Sequence, residues 1–165
     1  MQEASGTAGE RQRGVNRVVI AVWDLDTAKA VYEKVLGATF LDADPADTVP
    51  FGVSVSMAFD AGVELVAPLP DTDSWVRRRL AADGEGVVGV VFAVPDADAA
   101  LAAAEEEGAS AFYSLDYGPD EIAAKLAGSF RVYREHFLAA GSPFGRGVIL
   151  GEFVPTVPIP AGDET

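Results

Sequence analysis

A series of short apolar runs occurs twice along the chain, and it predicts a pair of related halves. Residues 18–22 (Val18, Val19, Ile20, Ala21, Val22) form a mostly β-branched run that reads as a strand. Asp24 and Asp26 follow, and either can cap a helix by accepting its first backbone N–H groups. The helix they open carries Ala30, Val31, Val35 and Leu36, and Gly37 suits its C-terminal stop. Residues 51–59 then alternate, with Val53, Val55, Met57 and Phe59 on one face and Ser54 and Ser56 on the other. A strand over 63–67 and a short helix over 71–80 close the half. Trp75, Val76 and Leu80 form the apolar side of that helix, and Trp75 is expected in the core.

The pattern restarts at Val90. Val90-Val91-Phe92-Ala93-Val94-Pro95-Asp96-Ala97-Asp98 matches Val18-Val19-Ile20-Ala21-Val22-Trp23-Asp24-Leu25-Asp26 position for position. A helix through Leu101 and Ala104 stops at Gly108-Ala109, as Gly37-Ala38 ends the first. Glu64-Leu65-Val66 and Glu152-Phe153-Val154 match near the ends of the halves, each soon followed by proline. Self-similarity of this kind speaks to architecture before function. The expected organisation is an arm over 1–14, a first module over 15–82, a second over 83–155 with an inserted helix near 119–127, and a tail over 156–165. The arm and tail read as disordered.

Composition narrows the function classes. Hydrophobic residues make up 49% of the chain, enough for a substantial core, yet no apolar run reaches the roughly 18–20 residues that span a bilayer. The polar start lacks a secretory signal, so a cytoplasmic location without membrane association is expected. With no cysteine, disulfides, thiolate nucleophiles and Cys–zinc sites are excluded. A net charge of −14 repels nucleic acid and leaves a small-molecule ligand as the expected partner. Gly84-Glu85-Gly86 lacks the lysine and hydroxyl residue of a phosphate loop.

The strand at 18–22 with Asp24-Leu25, the helix end from Tyr32 to Gly37, Val63-Glu64-Leu65-Val66-Ala67-Pro68-Leu69, Gly84-Glu85-Gly86 and Gly147-Val148-Ile149-Leu150 together resemble the vicinal oxygen chelate superfamily. This is the group of glyoxalases, bleomycin resistance proteins and extradiol dioxygenases, and the methylmalonyl-CoA epimerase branch is the nearest in look. The resemblance covers about 15–155. It implies an α+β fold in which two pseudo-symmetric βαβββ modules form curved mixed sheets around a cavity, and it implies an assembly that is often a homodimer. Family members commonly hold a divalent metal there with His and Glu or Gln, using it as a Lewis acid.

This chain departs from that ligand set. Arg17 stands at the first histidine position and Gly89 at the second. Glu64 occupies the first carboxylate or amide position. The last falls on Gly151 without a gap, or on Glu152 if the internal repeat is followed, and a one-residue shift reverses the facing of a strand residue. The resemblance therefore implies no metal and no other cofactor, with Glu64 and Glu152 as candidate catalytic carboxylates. Arg17 reads either as an exposed strand residue or as a fixed cation in place of the metal. Tyr113, Arg131, Tyr133 and the lone His136 are candidate substrate-binding residues. Three classes stay open: an epimerase- or lyase-like enzyme on a small carboxylate or acyl-CoA-like molecule, a protein that sequesters such a molecule, and a structural remnant. A metal-dependent epimerase is the alternative form of the first.

Overall fold

The computed structural model describes residues 12–156, so most of the expected arm over 1–14 and tail over 156–165 lies outside the described residues. The chain is α+β and repeats the order strand–helix–three strands. The first module runs β1 (Gly14–Ala21), α1 (Leu25–Leu36), β2 (Leu41–Asp42), a turn of helix α2 (Pro45–Thr48), β3 (Val53–Ala58) and β4 (Val63–Pro68), with α3 (Trp75–Asp83) following. The second runs β5 (Gly86–Ala93), α4 (Ala97–Glu106), β6 (Ala111–Asp116), the inserted α5 (Pro119–Lys125), β7 (Phe130–Leu138) and β8 (Val148–Pro155). The described residues divide into two compact units, one of Val15–Val91 with Arg146–Val148, the other mainly of Phe92–Gly145 and the chain beyond Val148. Among the described residues no helix is long and apolar enough to cross a membrane.

In the first unit the strand order is β2-β3-β4-β1-β5. β4 runs antiparallel to β3 and parallel to β1, with Ile20 opposite Leu65. One face of that sheet buries Val22, Val63, Leu65 and Ala67 against Leu25, Ala28 and Tyr32 of α1. The packed stripe of α1 is therefore Leu25, Ala28 and Tyr32. Val31, Val35 and Leu36, the apolar residues noted for this helix in the sequence, are exposed, Val35 by 71%. Trp75 also leaves its expected place in the core and is 45% exposed. Val76 and Leu80, four residues apart, share the buried stripe of α3, and Trp75 lies a helical step of about 100° off it.

The capping expectation has a structural counterpart in both halves. The Asp24 side chain accepts the Thr27 N–H at 2.7 Å, and Asp96 accepts the Ala99 N–H at 2.9 Å. The backbone N–H of Thr27 holds the Asp24 carboxyl below the usual carboxylate range, helped by a further hydrogen bond from the same residue. Gly37 closes α1 with φ 66°, a left-handed conformation that glycine adopts without a Cβ penalty.

Ser56, expected on the face opposite Val55 and Met57, is fully buried and donates to Asp42 at 2.7 Å. Lys29 donates to the same carboxylate oxygen at 2.8 Å. Lys29 and then Ser56 depress the Asp42 carboxyl, so its contribution to stability is present above the ordinary aspartate range and lost as pH falls through the folded value. Asp42→Ala should cost about 1–2 kcal/mol at neutral pH, because the buried Ser56 hydroxyl loses its acceptor. Urea unfolding of both proteins at pH 7 and in acid should show the gap narrowing at the lower pH.

The second unit is built on β8-β7-β6, all antiparallel. Its core is aromatic. Tyr133 and Phe153 are cross-strand neighbours with ring centroids 5.1 Å apart, and Phe130 packs on both at 5.3 and 6.2 Å. Such pairs contribute about 0.5–1.5 kcal/mol beyond their area burial. Ile122 and Leu126, in and just after α5, add buried aliphatic surface.

Candidate functional site

Alternation along β1 sends Ile20 and Val22 toward α1 and Arg17, Val19 and Ala21 to the opposite face. Glu64 of β4 lies in register with Val19, so its side chain reaches Arg17 on the diagonal. Arg17 Nε donates to Glu64 Oε2 at 2.6 Å, and Nη1 donates to Asn16 Oδ1 at 2.9 Å. The guanidinium also lies over the Phe59 ring, 5.3 Å from its centroid. Arg17 is 1% exposed, which makes it one of the most deeply buried large side chains in the protein. A guanidinium tolerates this place because it is more weakly hydrated than an ammonium and its planar fork matches a carboxylate. The structure thus brings Arg17 and Glu64 together as a buried, charge-assisted pair.

The backbone ladder sets the register of the last strand against the first half. Val18 N–H bonds the Gly62 carbonyl and Val22 N–H bonds that of Val66; correspondingly, Val90 N–H bonds Gly147 and Val94 N–H bonds Gly151. Gly62 therefore corresponds to Gly147 and Val66 to Gly151. Glu152 corresponds to Ala67, three positions away from the tripeptide match to Glu64. An odd displacement reverses facing. Glu152 accordingly shares a face with Val148 and Leu150, and its Oε2 accepts the N–H of Ala97, the first residue of α4. Glu152 is thus a buried group tied to a helix N-terminus, where the aligned peptide dipoles favour negative charge.

The two glycines that the ungapped resemblance puts at ligand positions are closed in as well as lacking donors. A Cβ on Gly89 would meet the Gly147 carbonyl oxygen at 2.7 Å. A Cβ on Gly151 would run into the Phe153 ring. Arg17 has no lone pair to offer, and among the described residues no cluster of three or more His, Asp or Glu is placed to hold a metal ion. The residues present do not fit the family's metal.

Of the expected binding residues, Tyr133 is buried in the aromatic core and Tyr113 packs on Phe137 with centroids 5.4 Å apart, while Arg131 is exposed. Glu135 was not singled out by the sequence, although it alternates with Tyr133; it is buried and faces Gly151 across β8. His136 is 7% exposed, and its Nδ1 lies 2.7 Å from Ser114 Oγ and its Nε2 2.8 Å from Asp98 Oδ1. Arg134 donates to Asp98 at 2.8 Å and Asp116 at 3.0 Å, with Glu152 at 3.8 Å. The Asp116 hydrogen bond, with Asp98 and Glu152 nearby, raises the Arg134 pKa against partial burial. These partners lie tens of residues apart in sequence, and only the position of Asp98 two residues past the helix cap Asp96 offered a signal for them.

A groove of about 350 Å³ lies on the α1 side of β1, lined by Trp23, Val31, Tyr32 and Glu85 among others. It opens on the face of β1 away from Arg17.

Residues 16–123 match the family model described as the glyoxalase/bleomycin resistance protein/dioxygenase superfamily. No curated protein matches the chain by sequence. Among solved structures, a methylmalonyl-CoA epimerase in complex with methylmalonyl-CoA and NH4+ superposes with a TM-score of 0.63 at 23% identity, over 84% of this chain and 93% of that one. The methylmalonyl-CoA epimerase of Mycobacterium tuberculosis gives 0.63 at 23%, over 84% and 86%. A single-residue variant of the Streptomyces coelicolor methylmalonyl-CoA epimerase, in complex with 2-nitronate-propionyl-CoA, gives 0.62 at 24%, over 84% and 96%. At these identities the likeness carries the fold.

Proposed function

Because the chain belongs to the glyoxalase/bleomycin resistance protein/dioxygenase superfamily, we propose that it binds a small oxygenated molecule, a carboxylate or acyl-CoA-like ester, without the divalent metal. The observation that carries this reading is the buried Arg17–Glu64 pair at ligand positions of the family pattern, with Gly89 closed off beside the Gly147 carbonyl. A permanently charged guanidinium can polarise a ligand carbonyl or hold a carboxylate without coordination chemistry. The ligand oxygen takes the place of the half-buried Asn16 amide on Nη1, while Glu64 keeps Nε. Glu64 is the proton acceptor of this arrangement if the bound molecule is also turned over. A homodimer and a cytoplasmic setting complete the reading; β6, the outer strand of its sheet, offers an edge for a partner.

The test is calorimetric titration with small mono- and dicarboxylates and acyl-CoA thioesters, with and without chelator. At least one of them should bind equally well in both conditions. Arg17→Lys, which keeps the charge and loses the fork, should weaken that binding about tenfold, close to the loss of one charge-assisted hydrogen bond. Absence of binding across the panel, or binding that vanishes with chelator, would reject the reading.

A further inference from the structure

We propose that Ser114, His136 and Asp98 form a proton relay that makes Ser114 a nucleophile toward small, uncharged activated esters. The site lies wholly in the second unit and does not draw on the reading above. Ser114 of β6 and His136 of β7 are direct cross-strand partners, so the sheet register itself sets their 2.7 Å contact. Asp98, in the first turn of α4, comes down on the other ring nitrogen at 2.8 Å.

The hydrogen-bond roles follow from valence. An ionised carboxylate only accepts, so Nε2 of the neutral ring must carry the hydrogen that points at Asp98. Nδ1 is then left with its lone pair, and the contact with Ser114 is an O–H donated to that nitrogen. Fixing the tautomer by an acid on one nitrogen, with a serine hydroxyl on the other, is the arrangement that activates a hydroxyl for acyl transfer. Here the two nitrogens exchange their usual parts, which leaves the relay chemically intact. Arg134 holds Asp98 in place and supplies positive charge on the same face. Ser114 and Asp98 are exposed and reachable from solvent, while the imidazole between them is buried.

The reaction balances with water as the co-reactant. The Ser114 proton passes to Nδ1 as Oγ bonds the ester carbonyl carbon. The carbon–oxygen bond of the leaving alcohol then breaks, and that oxygen takes the proton from Nδ1. Water attacks the acyl-serine, its proton returns through Nδ1 to Oγ, and the acid is released. Asp98, Asp116 and Glu152 surround a single arginine here, so the field repels anionic acyl donors such as CoA thioesters and favours neutral esters.

The probe is p-nitrophenyl acetate with the full-length chain. Wild type should release a burst of one equivalent of nitrophenol before slower turnover, and peptide mass mapping should place one acetyl group on Ser114. Ser114→Ala should slow release about a hundredfold, within the range of general base assistance. Asp98 is a positioning residue, so Asp98→Asn should slow acylation while leaving the one-equivalent endpoint unchanged. Both changes are at exposed positions, and unchanged thermal unfolding would confirm that each variant folds. Wild-type release from Ser114→Ala, an acetyl group on any other residue, or wild-type acylation by Asp98→Asn overturns the proposal.

Discussion

Arg17→Met will lower stability by about 3–5 kcal/mol at neutral pH, the usual cost of removing one partner of a buried ion pair. The variant keeps a similar volume but leaves the buried Glu64 carboxylate without the guanidinium that donates to it at 2.6 Å. The deficit should have a definite pH signature. In the folded variant, burial without a countercharge favours the protonated acid, so the folded state binds a proton more readily than the unfolded chain. Stability then rises as pH falls, the reverse of the behaviour of a favourably paired carboxylate. Urea titrations from pH 7 to pH 5 should show the variant closing on wild type. A second change, Glu64→Leu in the Arg17→Met background, removes the stranded charge and should recover most of the loss. If the single variant stays within about 0.5 kcal/mol of wild type, as ordinary surface changes do, the pair has no such importance.

Gly89→His will not restore a metal site, and it will cost about 2–3 kcal/mol, toward the upper end of overpacking penalties. The obstacle is backbone: the new Cβ would sit 2.7 Å from the Gly147 carbonyl oxygen, the same oxygen that accepts the Val90 N–H at 2.8 Å. Gly147 cannot easily yield, because it holds φ +72° and a Cβ added there would itself run into the Val88 carbonyl. The histidine ring would therefore be carried on a displaced strand. Differential scanning calorimetry with and without zinc should show a lower Tm and no zinc-dependent recovery. A variant that melts like wild type and retains one zinc per chain after dialysis would mean that the glycine is incidental.

Much of the fold can be seen in the sequence because it depends on local chemistry. Asp24 and Asp96 cap helices at matching places, Gly37 takes a left-handed conformation, and the repeated apolar runs become β1 and β5. Arg17 and Glu64 could be paired on paper because they hold positions in a resembling pattern. Glu152 could not be placed, since the tripeptide match to Glu64 competes with a backbone ladder that sets the register three residues away. Local sequence does not encode that ladder. Trp75 shows the complementary failure: one step of helix rotation separates it from the buried Val76. The His136 contacts were invisible for a third reason. Ser114 and Asp98 reach it through sheet register and the docking of α4, which no short motif records.

The burial of Arg17 has a consequence for how such a protein would behave in a cell. A metal centre is on loan: its ion can be stripped under scarcity, exchanged for a competitor, or used to sense supply. The guanidinium is covalently part of the chain, enters with translation and stays until the chain is degraded. Its charge is permanent at physiological pH. A protein working through Arg17 and Glu64 in the way proposed would be mature once folded, would need no loading step, and would be indifferent to limitation or poisoning by metals at that position. Its level of function would then be set by how much of it is made.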